Sequence, residues 1–167
     1  MKNLNKYTSL LEDLIRVPSV SRNEEAACDY LHKWLGDNGF QEAHRVGNNL
    51  WMESEPVSDK PAILLNAHID TVDPAGGYSF NPFDPFVKDG KLYGLGSNDD
   101  GGSLVALLEA YSCLASRPQP YRLVFSATAE EEVSGKGGMD ILLPHMPYDF
   151  LILFFKRKCG FHHQVQF

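Results

Sequence analysis

The fold class of this chain is most clearly indicated by one stretch, Pro61-Ala-Ile-Leu-Leu-Asn-Ala-His68-Ile-Asp70-Thr-Val72. Its apolar run, residues 62–65, is short, continuous and opened by a proline, which is typical of a strand covered on both faces in an α/β sheet. His68 and Asp70 follow at the carboxyl end of that strand. Because ligands of open α/β sheets bind outside the carboxyl ends of the strands, we expect a functional site here.

Further patterns along the chain predict the elements around this strand. Two more apolar runs predict buried strands at 123–125 and 150–155. Amphipathic spacing predicts helices over 4–16, 21–36 and 101–116. Turn signals between short apolar runs predict hairpins over 40–52 and 86–93. Ser21 and Glu24 have the spacing of a capping box at the start of the second helix. The strands of the first hairpin are expected at a sheet edge. The predicted fold class is α/β, a mixed sheet with helices on both faces.

Composition excludes several classes of protein. The chain has 167 residues, of which 43% are hydrophobic and 22% charged, so we expect one globular domain. The formal net charge is −7 without a long basic run, which argues against a nucleic-acid partner. No apolar window is long enough for a membrane span, and the amino terminus lacks a signal core. Three cysteines without CxxC spacing predict reduced, buried thiols and a cytoplasmic protein.

His68 and Asp70 are the first candidate site residues. In extended backbone, side chains two residues apart point to the same side, so the Asp70 carboxylate can orient the His68 imidazole. A neutral imidazole is a common zinc ligand. A surface His-Asp pair in a loop is the alternative, and for the short HxD pattern alone that alternative is the stronger one.

Asp99 is the second candidate, in the glycine-rich turn Gly94-Leu-Gly-Ser-Asn-Asp99 before the third predicted helix. A carboxylate with two oxygens can bridge two metal ions. Helix capping by Asp99, or by Asp100, is the alternative. A dinucleotide fingerprint is weak here, because Asp99 stands where the third glycine should be, and its charge would oppose a pyrophosphate.

The third candidate is the triplet Glu130-Glu131-Glu132, just past the strand predicted at 123–125. A solvated acidic patch is the ordinary interpretation of three consecutive glutamates. Adjacent glutamates at a strand end can also point in different directions, so that one binds metal while its neighbour remains free as a general base. Such a division of roles suits amide hydrolysis.

Together these motifs resemble the di-zinc aminoacylase, carboxypeptidase G and acetylornithine deacetylase family of metallopeptidases. His68-Ile-Asp70-Thr-Val is similar to the family's HxDTV, Gly94-Leu-Gly-Ser-Asn-Asp99 to its GxGxxD, and Glu131-Glu132-Val-Ser-Gly to its Glu pair followed by glycine. The resemblance covers residues 4–150. It implies a zinc-peptidase-like catalytic domain in which His68, Asp99 and Glu132 are metal ligands, Asp99 bridges two zinc ions, Asp70 orients His68, and Glu131 is the general base and acid.

The resemblance also implies an activity. It points to zinc-dependent release of an amino acid from a small N-acyl amino acid, and the wording of the motifs is most similar to the acetylornithine deacetylase branch of arginine biosynthesis. Two Zn²⁺ ions would complete the site, and Co²⁺ or Mn²⁺ can replace them. A full-length relative would form a homodimer.

The end of the chain departs from that family. A further acidic ligand, an inserted domain and a final histidine ligand are not recognisable, so we expect residues 1–150 to be the N-terminal part of the catalytic domain and residues 151–167 to be an atypical tail from truncation or a frameshift. His162 and His163 are not expected to be ligands. With two candidate protein ligands per zinc, we expect weak metal binding and little turnover. The alternative is an inactive fragment or a non-catalytic binding module of the same fold.

Overall fold

The computed structural model describes residues 2–40, 42–56, 58–156 and 161–166, and it describes side chains within residues 6–151. Its helices are α1 (Lys2–Arg16), α2 (Glu25–Asp37), α3 (Gly101–Ala115) and α4 (Met139–Leu142), the last followed by a 3-10 turn, Leu143–His145. Its strands are β1 (His44–Val46), β2 (Asn49–Glu53), β3 (Ala62–His68), β4 (Phe86–Lys88), β5 (Lys91–Tyr93), β6 (Arg122–Thr128), β7 (Phe150–Lys156) and β8 (Phe161–Gln166).

The described strands form one mixed sheet and one separate hairpin. The sheet has the order β1-β2-β6-β3-β7-β8, and β4 pairs with β5 alone. β3 is parallel to both β6 and β7, whereas β1, β2 and β8 are joined to their neighbours by antiparallel pairing. In the β3–β6 register His68 lies opposite Thr128, so the carboxyl ends of these two central strands meet at one edge of the sheet.

The two faces of the sheet are covered unequally. Helices α1, α2 and α3 cover one face, and their buried side chains share a single cluster with β2, β3 and β6. On the other face, Leu142 and Met146 pack against Ala62, Leu64 and Val124. Alternate residues of β3 therefore enter opposite layers, as a strand covered on both faces requires. The predicted α/β class with helices on both faces is confirmed.

Most of the predicted elements are present, and one strand is placed differently. Residues 73–84 contain neither helix nor strand, the 86–93 hairpin forms, and the run predicted at 150–155 is β7. β2, however, is not an edge strand, because it pairs with β6 as well as with β1. Its alternating Leu50 and Met52 are buried in the core, which holds β2 inside the sheet.

The capping box predicted from Ser21 and Glu24 is wrong. Glu24 has helical backbone angles at the start of α2 and makes no side-chain capping hydrogen bond. The Ser21 hydroxyl instead donates to Asp70 across the fold. The reason is tertiary packing, since the segment before α2 lies beside β3, where Val20 and Thr71 form a parallel bridge.

The cysteine prediction is right for Cys28 and wrong for Cys113. Both are free, but Cys28 is buried in the core and Cys113 is exposed, because its side of α3 faces solvent. Cys159 lies outside the described residues. Among the helices that the structure describes, none combines the length and the apolar character needed to cross a membrane.

The expected domain limit at residue 150 falls on the first residue of β7. This strand extends the sheet beside β3, and β8 then pairs with it in antiparallel register. His162 and His163 belong to β8, but their side chains lie outside the described part of the chain. Their expected lack of a ligand role stays a prediction.

Candidate metal centre

His68 is the last residue of β3, and it is only 4% exposed. Its ring nitrogen Nδ1 lies 2.9 Å from the backbone oxygen of Asp70 and 3.3 Å from Asp70 Oδ1. Nε2 lies 3.4 Å from Asp99 Oδ1 and 3.6 Å from Glu131 Oε2. Because Nδ1 is held by Asp70, Nε2 is the nitrogen that faces the other candidate residues. The surface-loop interpretation of His68 and Asp70 is wrong, since both are buried.

Asp99 reaches the site from the turn between β5 and α3. Gly96 in this turn has φ +75°, and a Cβ added there would lie 2.8 Å from Thr71 Cγ2, so the turn requires glycine to pack against the end of β3. The Asp99–Asp100 peptide bond is cis. Asp100, not Asp99, directly precedes the helix, and it makes no side-chain capping hydrogen bond. The Asp100 carboxylate accepts a hydrogen bond from the His68 backbone N–H instead.

Glu131 and Glu132 enter the site from a sharp turn after β6. Glu130 opens the turn with φ +56°, and its Oε2 accepts a 3.1 Å hydrogen bond from the Gly137 N–H. A Cβ at Gly135 would lie 1.9 Å from Glu130 Oε2, so the loop closes tightly around this carboxylate. The triplet is therefore not a solvated patch. Glu130 holds the turn, while its two neighbours extend toward His68.

The three residues predicted as metal ligands come together in space. His68, Asp99 and Glu132 each offer one ligand atom, and these atoms lie within 4.8 Å of one another. An imidazole nitrogen with carboxylate oxygens is a donor set that suits zinc. Among the described residues no second group of this kind occurs. The donor types present in this cluster therefore fit a divalent metal ion.

Asp70 connects the two strand ends behind the cluster. Its buried carboxylate accepts hydrogen bonds from the Ser21 hydroxyl at 2.6 Å, the Glu131 N–H at 3.0 Å and the Glu132 N–H at 3.1 Å. Burial acts to raise the pKa of Asp70, but the His68 imidazole, the Ser21 hydroxyl and the Glu131 N–H lower it below the usual aspartate value. Asp70 thus stays ionised, and one carboxylate fixes both the imidazole and the backbone of the Glu131-Glu132 pair.

The electrostatics of the cluster favour an added cation. Burial by itself would lower the pKa of His68, but the Asp70 and Asp99 carboxylates raise it to about 11. Burial raises the pKa of Glu131 and of Glu132 above the usual glutamate value. The proton on His68 thus offsets part of the negative charge of the neighbouring carboxylates. A divalent ion bound to Nε2 would offset the same charge.

Two supporting residues of this site, Asp100 and Asn49, were not predicted from the sequence. Asp100 is 4% exposed, and burial raises the pKa of its carboxyl to about 6. Asn49 is fully buried and ties the start of β2 to the turn after β6, because it donates to the Gly137 oxygen and accepts from the Ala129 N–H. The position of Asp100 next to the candidate ligand Asp99 is a sequence signal that could have identified it. Asn49 has no such signal, because it resembles an ordinary turn residue.

A cavity of about 240 Å³ adjoins Glu131 on the side of β7. It contains polar and apolar groups, contributed by Asn66, Thr128, Glu131, Met139, Asp140 and Leu151. A second cavity, of about 30 Å³, lies beside His68 and Asp70 and has room for little more than a water molecule. Space for a small ligand therefore exists next to Glu131.

Comparison with known proteins identifies the family of the chain. The family described as peptidase family M20/M25/M40 matches residues 64–158, which include all three candidate ligands. The chain belongs to peptidase family M20/M25/M40. The family resemblance inferred from the three motifs is thereby confirmed, and M20 peptidases are metal-dependent hydrolases.

Two curated M20 relatives illustrate the match. A probable carboxypeptidase of Emericella nidulans is 35% identical over 139 residues, which cover 78% of this chain and 32% of that protein. A succinyl-diaminopimelate desuccinylase of Anaplasma marginale is 34% identical over 136 residues, 77% of this chain and 35% of that protein. The chain thus spans about a third of the length of these relatives. Neither is an acetylornithine deacetylase, so that branch is not shown.

A solved M20 structure has the same fold. It is described as a dinuclear metal-binding peptidase from Bacillus subtilis, and the chain matches it with a TM-score of 0.59 and 22% identity. The match covers 84% of this chain and 38% of that one. The mixed sheet with its flanking helices therefore matches part of the fold of an M20 peptidase.

Proposed function

We propose that the site hydrolyses the amide bond of a small N-acyl amino acid, with His68, Asp99 and Glu132 as zinc ligands and Glu131 as general base and acid. The observation that carries the proposal is the convergence of these three ligand atoms within 4.8 Å, with Glu131 Oε2 3.6 Å from His68 Nε2. Ligands and base then lie side by side, as amide hydrolysis by a metal-activated water requires.

Each residue has a distinct role in this proposal. Zinc, when bound, lowers the pKa of water and stabilises the developing oxyanion. Asp70 holds the His68 ring so that Nε2 points at the ligand cluster. Burial raises the pKa of Glu131 and so brings it closer to neutral pH. A pKa near the operating pH suits a carboxylate that takes a proton from water and returns it to the leaving amine.

The number of donors limits the expected activity. Catalytic zinc usually has three protein ligands and one open position. The cluster supplies three in total, and two ions that share Asp99 would have two protein ligands each. We therefore expect weak metal binding and slow turnover by this chain. The non-catalytic binding module of the same fold stays the second candidate because of this donor count.

The substrate proposal rests on the motifs and on the relatives. The residues of the motifs are most similar to the acetylornithine deacetylase branch, which suggests N-acetylornithine as a substrate. Similarity to a succinyl-diaminopimelate desuccinylase suggests an N-succinyl amino acid instead. Both classes are small amides with a free carboxylate. The 240 Å³ cavity borders the proposed base Glu131 but not the three candidate ligands, so it could receive the part of a substrate that lies beyond the amide bond. We propose acetylornithine as the first substrate to assay. The cytoplasmic location and the homodimer of a full-length relative stay predictions.

Zinc calorimetry and hydrolysis assays on the 167-residue chain test this function. The assays compare N-acetylornithine with N-succinyl-diaminopimelate, and Asp99→Asn is compared with the exposed Asp73→Asn as a control of equal charge change. We expect zinc binding that Asp99→Asn abolishes and Asp73→Asn preserves. Zinc binding that is indifferent to Asp99 would contradict the metal site. Binding without hydrolysis of either substrate would favour the binding module.

A further inference from the structure

The segment Ser21–Glu24 lies against both strand ends that carry the metal-site residues. The backbone N–H of Ser21 donates to the Thr71 oxygen at 3.0 Å, and the Ser21 hydroxyl donates to Asp70. Glu24, three residues later, accepts a hydrogen bond from the Glu130 N–H at 3.3 Å. This short segment therefore connects the end of β3 with the turn after β6.

Glu24 is an unusual residue for such a position. It is 1% exposed, although glutamate is almost never buried so completely unless its carboxylate is paired. Oε1 accepts from the backbone N–H groups of Arg22 and Glu130, and Oε2 accepts from Asn48 Nδ2 at 3.3 Å. Because Glu24 makes no capping bond to α2, helix capping does not explain its burial.

Two buried carboxylates hold the glutamate triplet by its backbone. The N–H of Glu130 donates to Glu24, the N–H of Glu131 to Asp70 Oδ1, and the N–H of Glu132 to Asp70 Oδ2. Three successive N–H groups are thus directed by two side chains from distant parts of the chain. Charged acceptors make stronger and more directional hydrogen bonds than neutral ones.

We propose that Glu24 is a positioning residue for the metal site, acting on Glu131 and Glu132 through the Glu130 N–H. The inference rests on the proposed metal site and adds to it a residue that touches neither the ion nor the substrate. Glu130 has a left-handed backbone conformation, which non-glycine residues adopt at a cost. Its own carboxylate accepts the Gly137 N–H within the turn, and Glu24 adds a hydrogen bond to the Glu130 N–H from outside the turn. The Ser21 hydroxyl donates to Asp70, whose oxygens accept the next two N–H groups.

Glu24→Ala and Glu25→Ala form a matched pair for the test, because alanine removes the Oε1 that accepts the Arg22 and Glu130 N–H groups, whereas glutamine would keep this oxygen. Both variants remove one charge at neighbouring positions, but Glu25 is exposed at the start of α2. The first measurement is amide hydrogen exchange of the full 167-residue chain by NMR, without metal. The second is the visible absorption spectrum and the dissociation constant of the Co²⁺-loaded chain, because the d–d bands of cobalt report the geometry of its ligands.

We expect Glu24→Ala to accelerate exchange at Glu130, Glu131 and Glu132 by roughly tenfold or more, with β3 and β6 unchanged. It should also weaken Co²⁺ binding by about 10-fold or more and alter the d–d bands. Glu25→Ala should change neither. Unchanged exchange at the triplet, or acceleration spread evenly over the core strands, would overturn the proposal. So would an unaltered cobalt spectrum in a chain that binds the ion.

The outcomes separate this inference from the proposed function. If the unmodified chain binds no Co²⁺, the metal site fails, and the exchange pattern alone decides whether Glu24 positions the triplet. If Glu24→Ala does not fold, Ser21→Ala and Ser21→Thr provide the second pair. Loss of the hydroxyl in Ser21→Ala should alter the cobalt spectrum, and Ser21→Thr should restore it; an unaltered spectrum in both would overturn the role of this segment.

Discussion

The Nδ1 atom of His68 lies 3.3 Å from Oδ1 of Asp70, and both side chains are buried. This contact directs the other ring nitrogen toward Asp99 and Glu131. The same Asp70 carboxylate accepts the backbone N–H groups of Glu131 and Glu132. The buried Asp70 carboxylate therefore orients both the His68 imidazole at the end of β3 and the backbone of Glu131 and Glu132 after β6.

Asp70→Asn should weaken zinc binding by about 10- to 100-fold, as loss of the group that orients a ligand commonly does. The amide retains only one oxygen for the two backbone donors, so we also expect a loss of about 1.5–3 kcal/mol in the free energy of unfolding. Calorimetry and urea denaturation measure the two effects. Asp73→Asn, on the exposed loop, serves as the control; equal zinc affinity in both variants would show that Asp70 does not orient a ligand.

Zinc binding should release about one proton per site near neutral pH, because the metal must displace the proton held by His68. The folded pKa of His68, about 11, lies above its ordinary value of 6.5. In the metal-free chain, the stability that this proton contributes is fully present below pH 6.5 and is lost as the pH rises through about 11.

Zinc affinity should therefore rise with pH, in the opposite direction to the stability of the metal-free chain. Calorimetry at pH 7 in two buffers with different ionisation enthalpies measures the released protons, and titrations between about pH 6 and 8 measure the affinity. Zinc binding without proton release would mean that His68 Nε2 is not a ligand.

Glu132→Gln and Glu131→Gln should separate binding from catalysis. Glu132 belongs to the ligand cluster, whereas Glu131 is assigned to proton transfer. We expect Glu132→Gln to reduce the Co²⁺ affinity strongly. Glu131→Gln should preserve most of that affinity but reduce the rate of any hydrolysis by a factor of about 10² or more. Cobalt titration of the two variants checks the first expectation without depending on turnover. The reverse order of affinities would exchange the two assignments.

Gly96→Ala should destabilise the chain by about 1–3 kcal/mol and weaken metal binding, because alanine is strained at φ +75° and its Cβ would lie 2.8 Å from Thr71 Cγ2. The movement needed to relieve this contact displaces the turn that carries Asp99. Gly76→Ala is the matched control, since a Cβ there meets no atom within 4 Å. Thermal denaturation and cobalt titration of both variants test the expectation; similar behaviour of the pair would contradict it.

Several features of the protein follow from local sequence. The continuous apolar run at 62–65 predicts β3, and Asp89-Gly90 predicts the β4–β5 hairpin, because side-chain periodicity and turn geometry are properties of a few adjacent residues. The ligand candidates His68, Asp99 and Glu132 are also visible in the sequence. Each follows or precedes a predicted element and has the chemistry of a metal ligand.

The α/β class, the main elements and the residue types of the proposed metal site therefore follow from the sequence alone. The hydrogen-bond partners of Ser21 and Glu24, in contrast, depend on the tertiary structure. Their spacing fits a capping box, but their partners Asp70 and Glu130 are 49 and 106 residues away. A local pattern shows which groups can form hydrogen bonds, whereas the partner that each one finds depends on which segments the packed sheet brings beside it.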